Sequence, residues 1–183
     1  MKLHLLTEQE FEAVWRIMEQ SFPPEERRTK EGQRKLFGHS AYRLYGMSDC
    51  FEKKEKLGAF LAVWDFPEFL FLEHFAVDER LRGGGIGAGL LGELFDSCGK
   101  SVVLEVELPE GEMARRRIGF YERNGFSLND YPYVQPPLAK GQPAIPLKLM
   151  SRPGTLSPQQ FADMKRVLLK EVYRCPEEIG QQE

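Results

Sequence analysis

A chain of 183 residues, 42% hydrophobic and 29% charged, has room for one globular domain with a sizeable core. Its formal net charge of -3 gives no electrostatic ground for nucleic-acid binding, and no apolar run is long enough to span a membrane. The opening MKLHLLTEQEFEAVW turns acidic too early for a signal peptide, and Cys50, Cys98 and Cys175 are scattered without a CxxC pair, so reduced thiols and a cytoplasmic location are expected. His4, His39 and His74 are equally scattered and show no zinc spacing, so no metal is expected.

Residues 2–6 read as a short first strand. Thr7 and Glu10 form a capping box for a helix in which Phe11, Val14, Trp15 and Met18 recur at helical spacing up to about Ser21. Phe22-Pro23-Pro24 breaks that helix, and Pro24 opens a second one over residues 25–37, highly charged, with a weak apolar face, and so a mobile surface element. Residues 41–47 and 56–64 are two strands joined by the polar stretch 48–55. A turn at 65–68 leads into a third strand of the meander, residues 69–77. That strand, FLFLEHFAV, is nearly all apolar, which implies cover on both faces.

A helix over 85–98 follows, with Ile86, Leu90, Leu91, Leu94 and Phe95 on one side, and then a strand over 101–108 with Glu105 and Glu107 on one face. A crossover of this length implies a parallel pair. The rest reads as an amphipathic helix over 112–124 stopped by Gly125, a strand over 126–128, a Pro-, Tyr- and Gly-rich loop over 130–143, and a short strand over 145–150. A terminal helix is capped by Ser157 and Gln160, with Pro158 in its first position and Phe161, Met164, Val167, Leu168 and Val172 on one face. The end after Arg174 is polar and frayed.

The stretch FLFLEHFAVDERLRGGGIGAGLL, residues 69–91, organises the chain. A strand runs through a glycine turn straight into a helix. Glycines let backbone approach a ligand, and the first N–H groups of a helix have no internal partner. Those groups and the helix dipole favour a phosphate, and Arg82 adds a full charge at the mouth of the turn. Gly87-x-Gly89-x-x-Gly92 also spells a dinucleotide fingerprint, but it lies inside the helix, where the Rossmann mechanism cannot use it. No Lys-Ser/Thr follows the glycines to make a P-loop.

The sequence Val77-x-x-x-x-Arg82-Gly83-Gly84-Gly85-Ile86-Gly87 resembles the pyrophosphate-binding motif of the GNAT superfamily, the acetyl-CoA-dependent N-acetyltransferases. Phe120-Tyr121-Glu122-Arg123-Asn124-Gly125-Phe126 is similar to a second signature of that family, and the element order fits as far as about Met150. The resemblance implies a single α/β domain over residues 1–150, with a mixed, mostly antiparallel sheet splayed between its central parallel strands, and helices on both faces. Residues 151–183 then form a C-terminal helix packed on the same domain.

It also implies acetyl-CoA as co-substrate and a primary amine, on a small molecule or peptide, as acceptor. Backbone N–H groups of Gly83, Gly84, Gly85, Ile86 and Gly87, with Arg82, would hold the diphosphate. Phe75, Ala76 and Val77 would pair with the amide-rich arm where the two parallel strands part. Tyr121 would protonate the departing thiolate. Many relatives pair as dimers, so a homodimer is admitted. Many also carry asparagine and alanine seven and four residues before the tyrosine, where this chain has Ala114 and Arg117.

Glu73, a carboxylate in an apolar strand, is costly to bury unpaired. Partial burial raises a carboxylate pKa, which suits a general base; the alternative is a structural carboxylate bonded to an arginine. Glu107 is the other candidate base, with Glu105 beside it to attract a cationic amine; both could instead face solvent or pair with Arg115–Arg117. Tyr133, Tyr131 and the 22–28 segment with Phe22 are candidates for walls of the acceptor pocket. His74 reads as a core histidine, Cys98 as packing, and Arg115–Arg117 as a solvated face or a contact to the coenzyme 3′-phosphate. The function expected is acetyl transfer by direct attack of the amine. The alternatives are a non-catalytic acyl-CoA-binding or sensing protein of the same fold, and transfer of a longer acyl chain.

Overall fold

The computed structural model describes residues 2–49 and 56–175; Cys50, the 50–55 part of the polar stretch and the end after 175, where fraying is expected from the sequence, lie outside them. The chain divides into two compact units, residues 1–104 and 105–183. The first contains β1 (His4–Leu5), α1 (Phe11–Ser21), α2 (Lys30–Lys35), β2 (Tyr42–Asp49), β3 (Lys56–Asp65), β4 (Phe69–Val77), α3 (Ile86–Cys98) and the start of β5 (Ser101–Glu107).

Strands β1 to β4 form an antiparallel meander, and β5 joins β4 in parallel, as the crossover length requires. The parallel ladder runs from Phe69↔Ser101 to Leu72↔Leu104. Beyond it β4 continues along β3, with Phe75 opposite Leu61 and Val77 opposite Ala59. The architecture is therefore the mixed, mostly antiparallel α/β arrangement that the sequence predicts. Phe69 to Leu72 are all buried, so both faces of β4 are covered; α1 packs on β3 and β4, and α3 packs on β4. From α1, Phe11, Val14, Trp15, Ile17 and Met18 are buried, each contributing about 1.5–3 kcal/mol of apolar burial.

The expected helix over 25–37 is broken in two. Pro24–Glu26 makes one 3-10 turn, Arg27 is extended at φ -141, and Thr29 then caps α2 by accepting the Gly32 N–H at 3.1 Å. Helix propensity loses here to a tertiary demand on Arg28, whose side chain is drawn inward. Nor is α2 merely a surface element, because Gln33 is buried and its Nε2 donates to the Tyr42 hydroxyl at 2.6 Å. Thr7 and Glu10 frame a 3-10 turn ahead of α1, with the Glu10 carboxylate accepting the Thr7 N–H at 2.8 Å.

The second unit contains the end of β5, α4 (Glu112–Arg123), β6 (Ser127–Leu128), β7 (Tyr133–Gln135), β8 (Ile145–Arg152) and α5 (Pro158–Val167), which continues as a π-helical turn over Leu168–Val172. Gly125, at φ 85, ends α4 as expected. The predicted loop over 130–143 holds a strand. Tyr133 and Gln135 are buried on either side of exposed Val134, and β7 pairs antiparallel with β8. Ser157 and Gln160 form the predicted capping box of α5.

Candidate active site

The glycine turn sits where β4 ends. Asp78 accepts the Arg80 N–H at 3.1 Å and opens a 3-10 turn over Glu79–Leu81. Arg82 Nε donates to the Val77 carbonyl at 3.0 Å, which fixes its guanidinium beside the turn. Gly83 and Gly85 have φ of 89 and 75, in the left-handed region that only glycine enters without strain. Gly85 is the N-cap of α3, and Gly89 N–H is the first to return to a helix carbonyl, that of Gly85 at 3.0 Å. The N–H groups of Ile86, Gly87 and Ala88 before it have no helical acceptor. Residues 82–85 are exposed, and a Cβ on Gly83, Gly84 or Gly85 would meet no protein atom within 4 Å. An open, positively polarised backbone surface of this kind suits an anion such as a diphosphate.

Upstream on the same strand, Glu73 is enclosed. Its side chain is 3% exposed; Arg28 Nη1 donates to Oε1 at 2.6 Å and Trp64 Nε1 to Oε2 at 3.1 Å. Burial alone would raise its pKa, as the sequence suggests. The structure reverses that expectation. Desolvation is the largest single influence and raises the pKa, but the Arg28 charge, with Arg28 itself 9% exposed, and the adjacent His74 together outweigh it and hold the Glu73 carboxyl below the usual carboxylate range. The neighbouring Tyr42 phenol is pushed up by burial and by the Glu73 charge. His74 is a core histidine, as expected. Its Nε2 donates to the Glu26 carbonyl at 2.8 Å, and its buried Nδ1 has no hydrogen-bond partner and lies 3.7 Å from Glu73 Oε2. The Phe22 ring stands edge-on to His74, centroids 4.7 Å apart. The first unit therefore brings Phe22 and Glu73 around one buried cluster, with Arg28 and His74 as members.

In the second unit, Glu105 accepts hydrogen bonds from two phenols. Tyr173 donates at 2.7–2.8 Å, and Tyr133 donates to Oε1. Burial and the Glu105 charge push the Tyr133 phenol well up. Glu107 is more open, 40% exposed, and Oε2 accepts from Arg117 Nη1 at 2.8 Å. Tyr121 lies one turn of α4 beyond Arg117. It is buried against Phe120 and Phe126, with centroids at 5.3 and 5.5 Å, and among the described residues its hydroxyl has no hydrogen-bond partner. Burial pushes its phenol up to about 12, with the Arg117 charge pulling the other way.

Sequence reasoning missed Arg28 and Tyr173. Arg28 stands in a charge run with nothing to separate it from its neighbours, and Tyr173 lies near a chain end expected to be polar. Among the described residues no group of three His, Cys, Asp or Glu side chains could hold a metal ion, and no helix is long and apolar enough to cross a membrane.

Comparisons with known proteins bear on the family and the fold. The model of the acetyltransferase (GNAT) domain matches residues 48–128. A solved structure described as "Putative acetyltransferase from GNAT family" from Bacteroides thetaiotaomicron is 33% identical, with a TM-score of 0.86, over 96% of this chain and 100% of that one. "Putative acetyltransferase YjbC" of Bacillus subtilis (strain 168) is 30% identical over 107 residues, 57% of this chain; the chain spans about half the length of that relative, 52%. An aminoglycoside 6'-N-acetyltransferase complexed with coenzyme A shares the fold at 14% identity and a TM-score of 0.61, covering 83% of this chain and 96% of that one. The chain belongs to the GNAT acetyltransferase family.

Proposed function

We propose that the protein transfers an acetyl group from acetyl-CoA to a primary amine. The observation that carries this reading is the exposed glycine turn, whose unpartnered N–H groups open α3 after the short connection that follows β4. In this reading the N–H groups of Gly83–Gly87 and the Arg82 guanidinium take the coenzyme diphosphate. The open Cβ positions of the turn fit such a ligand, because nothing of the protein fills them. The backbone of Phe75–Val77 takes the amide-rich arm, and an N–H near Val77 polarises the thioester carbonyl.

The amine attacks the carbonyl carbon directly, a C–N bond forms and the C–S bond breaks. The bonding pair goes to sulfur, which takes a proton from Tyr121; the phenolate is reprotonated by the proton that the nitrogen sheds. Burial pushes the phenol up to about 12, so Tyr121 is protonated at neutral pH and can donate, although as a weaker acid than a free phenol. The ammonium form of the acceptor first loses a proton to Glu107, the carboxylate open to solvent, directly or through one water. Glu73 is poorly suited to that task. Its lowered pKa weakens it as a base, and Arg28 and Trp64 already occupy its two oxygens. Acidic Glu105 and Glu107 favour a cationic small molecule or peptide amine as acceptor.

Calorimetry with coenzyme A, and thiol release from acetyl-CoA with a panel of primary amines, test the reading. Micromolar binding and amine-dependent thiol release are expected. Tyr121→Phe should lower kcat about 100-fold, within the usual range for a positioned acid, and leave coenzyme affinity within about twofold. No binding overturns the reading. Binding without turnover by any amine favours a non-catalytic acyl-CoA sensor.

A further inference from the structure

We infer that Glu73 and His74 form a two-point clasp that holds residues 22–28 as a fixed wall over β4, which makes Glu73 and Arg28 positioning residues for the acceptor. The inference rests on the acetyl-transfer reading only in its last step. The clasp itself stands on contacts within the first unit. Glu73 is the extra residue of a β-bulge in β4, opposite the Ala62–Val63 step of β3, so it does not alternate with His74. The two side chains come within 3.7 Å and both reach the same segment: Glu73 takes the Arg28 guanidinium, and His74 takes the Glu26 carbonyl and the edge of the Phe22 ring. Trp64 on β3 closes the far side of Glu73 through its indole N–H.

The segment is tied within itself and to α1 as well. Arg27 Nε donates to the Phe22 carbonyl at 3.3 Å, and its guanidinium lies 5.1 Å over the Trp15 ring. Pro23 and Pro24 remove two backbone donors and restrict φ, so the chain arrives already stiff. The segment is thus built like part of the core, although it consists of a loop and one 3-10 turn.

Its place along the strand gives the clasp a function. Glu73 and His74 immediately precede Phe75–Val77, the residues that would carry the coenzyme arm toward its thioester. A wall fixed at 73 and 74 is fixed one residue from that path. Glu73 would therefore act on catalysis through the position of residues 22–28, without touching the acceptor.

Trypsin reads the clasp without any assay of activity, because it cuts after Arg27 and Arg28. A cut there requires the segment to leave β4. In the full chain with Glu73→Gln, cleavage after Arg27 and Arg28 should be at least tenfold faster than in the wild type, with cleavage elsewhere unchanged. Coenzyme A affinity should stay within about twofold. The KM for a primary amine should rise, while the pH profile of kcat keeps its shape. Unchanged cleavage at 27–28, or acceleration at all sites alike, overturns the clasp; so does a loss of kcat at every pH with KM unchanged, the mark of a base. If Glu73→Gln does not fold, Arg28→Lys keeps the charge but loses the planar fork, and should accelerate cleavage after residues 27 and 28 about threefold. A wild-type protein that turns over no amine would count against the proposed activity, and the trypsin result would still decide the clasp.

Discussion

Two regions of one strand handle buried and exposed polarity in opposite ways. At the end of β4 the glycine turn leaves backbone N–H groups exposed, two residues at positive φ and open space where side chains would be. Four residues before the strand's last residue, Val77, Glu73 is sealed and both its oxygens accept from protein donors. Polar groups that the protein satisfies itself stabilise the fold. Those left open at an exposed, preformed surface are completed by a ligand. The difference separates a carboxylate that the protein itself satisfies from the surface proposed to bind the coenzyme, although sequence alone makes the carboxylate look the more reactive of the two.

The largest effect should come from breaking the closed region. Glu73→Ala leaves the Arg28 guanidinium buried and uncompensated, so a loss of about 3–5 kcal/mol is expected in urea or thermal unfolding. The same pair gives a pH signature. Because the folded pKa of Glu73 lies below its unfolded value, its contribution is present above the unfolded value of about 4.3 and is lost as pH falls toward the folded one. The stability gap between wild type and Glu73→Gln should therefore be widest near neutrality and should shrink below about pH 4. A gap that grows on acidification would mean that Glu73 is raised and the pair is not an ion pair.

A substitution in the open region should do the reverse. Gly84 lies outside the left-handed region and a Cβ there meets nothing, so Gly84→Val should leave unfolding unchanged to within about 0.5 kcal/mol. A branched side chain would nonetheless stand where a diphosphate must approach the backbone. Coenzyme A affinity should drop about 30-fold, roughly 2 kcal/mol by calorimetry. Equal affinity would place the ligand elsewhere.

What the sequence made legible follows the same division. The turn could be read because strand, glycines and helix are contiguous, so local rules suffice. β4 could be read to the residue, because its apolar run is bounded by polar turns at both ends. The anomaly of Glu73 was visible, but its partner lies 45 residues away, and nothing local marks Arg28. The same distance hid the ties of Glu105 to Tyr133 and Tyr173, 28 and 68 residues off. The helix expected over 25–37 failed for one reason: a buried ion pair pulls Arg28 inward and breaks a segment whose composition favours a helix. β7 was missed because its three residues, Tyr133–Gln135, are too short for alternation to register against the surrounding prolines.

The smallest effect should come from Arg82, whose charge belongs to the open region but which is also tied to the protein. Its Nε is committed to the Val77 carbonyl, so the rest of the guanidinium supplies the remaining donors for an anion. The side chain is exposed, so water and salt screen its attraction for a phosphate. Arg82→Gln should therefore weaken coenzyme A binding only about three- to tenfold at low ionic strength. The deficit should fade toward about twofold at 0.5 M salt, where the Debye length is under about 5 Å. The backbone N–H groups, being fixed dipoles at contact distance, should retain most of the affinity under the same conditions. If Arg82→Gln instead abolished binding at every salt concentration, the guanidinium would be the principal anion ligand and the glycine turn only its support.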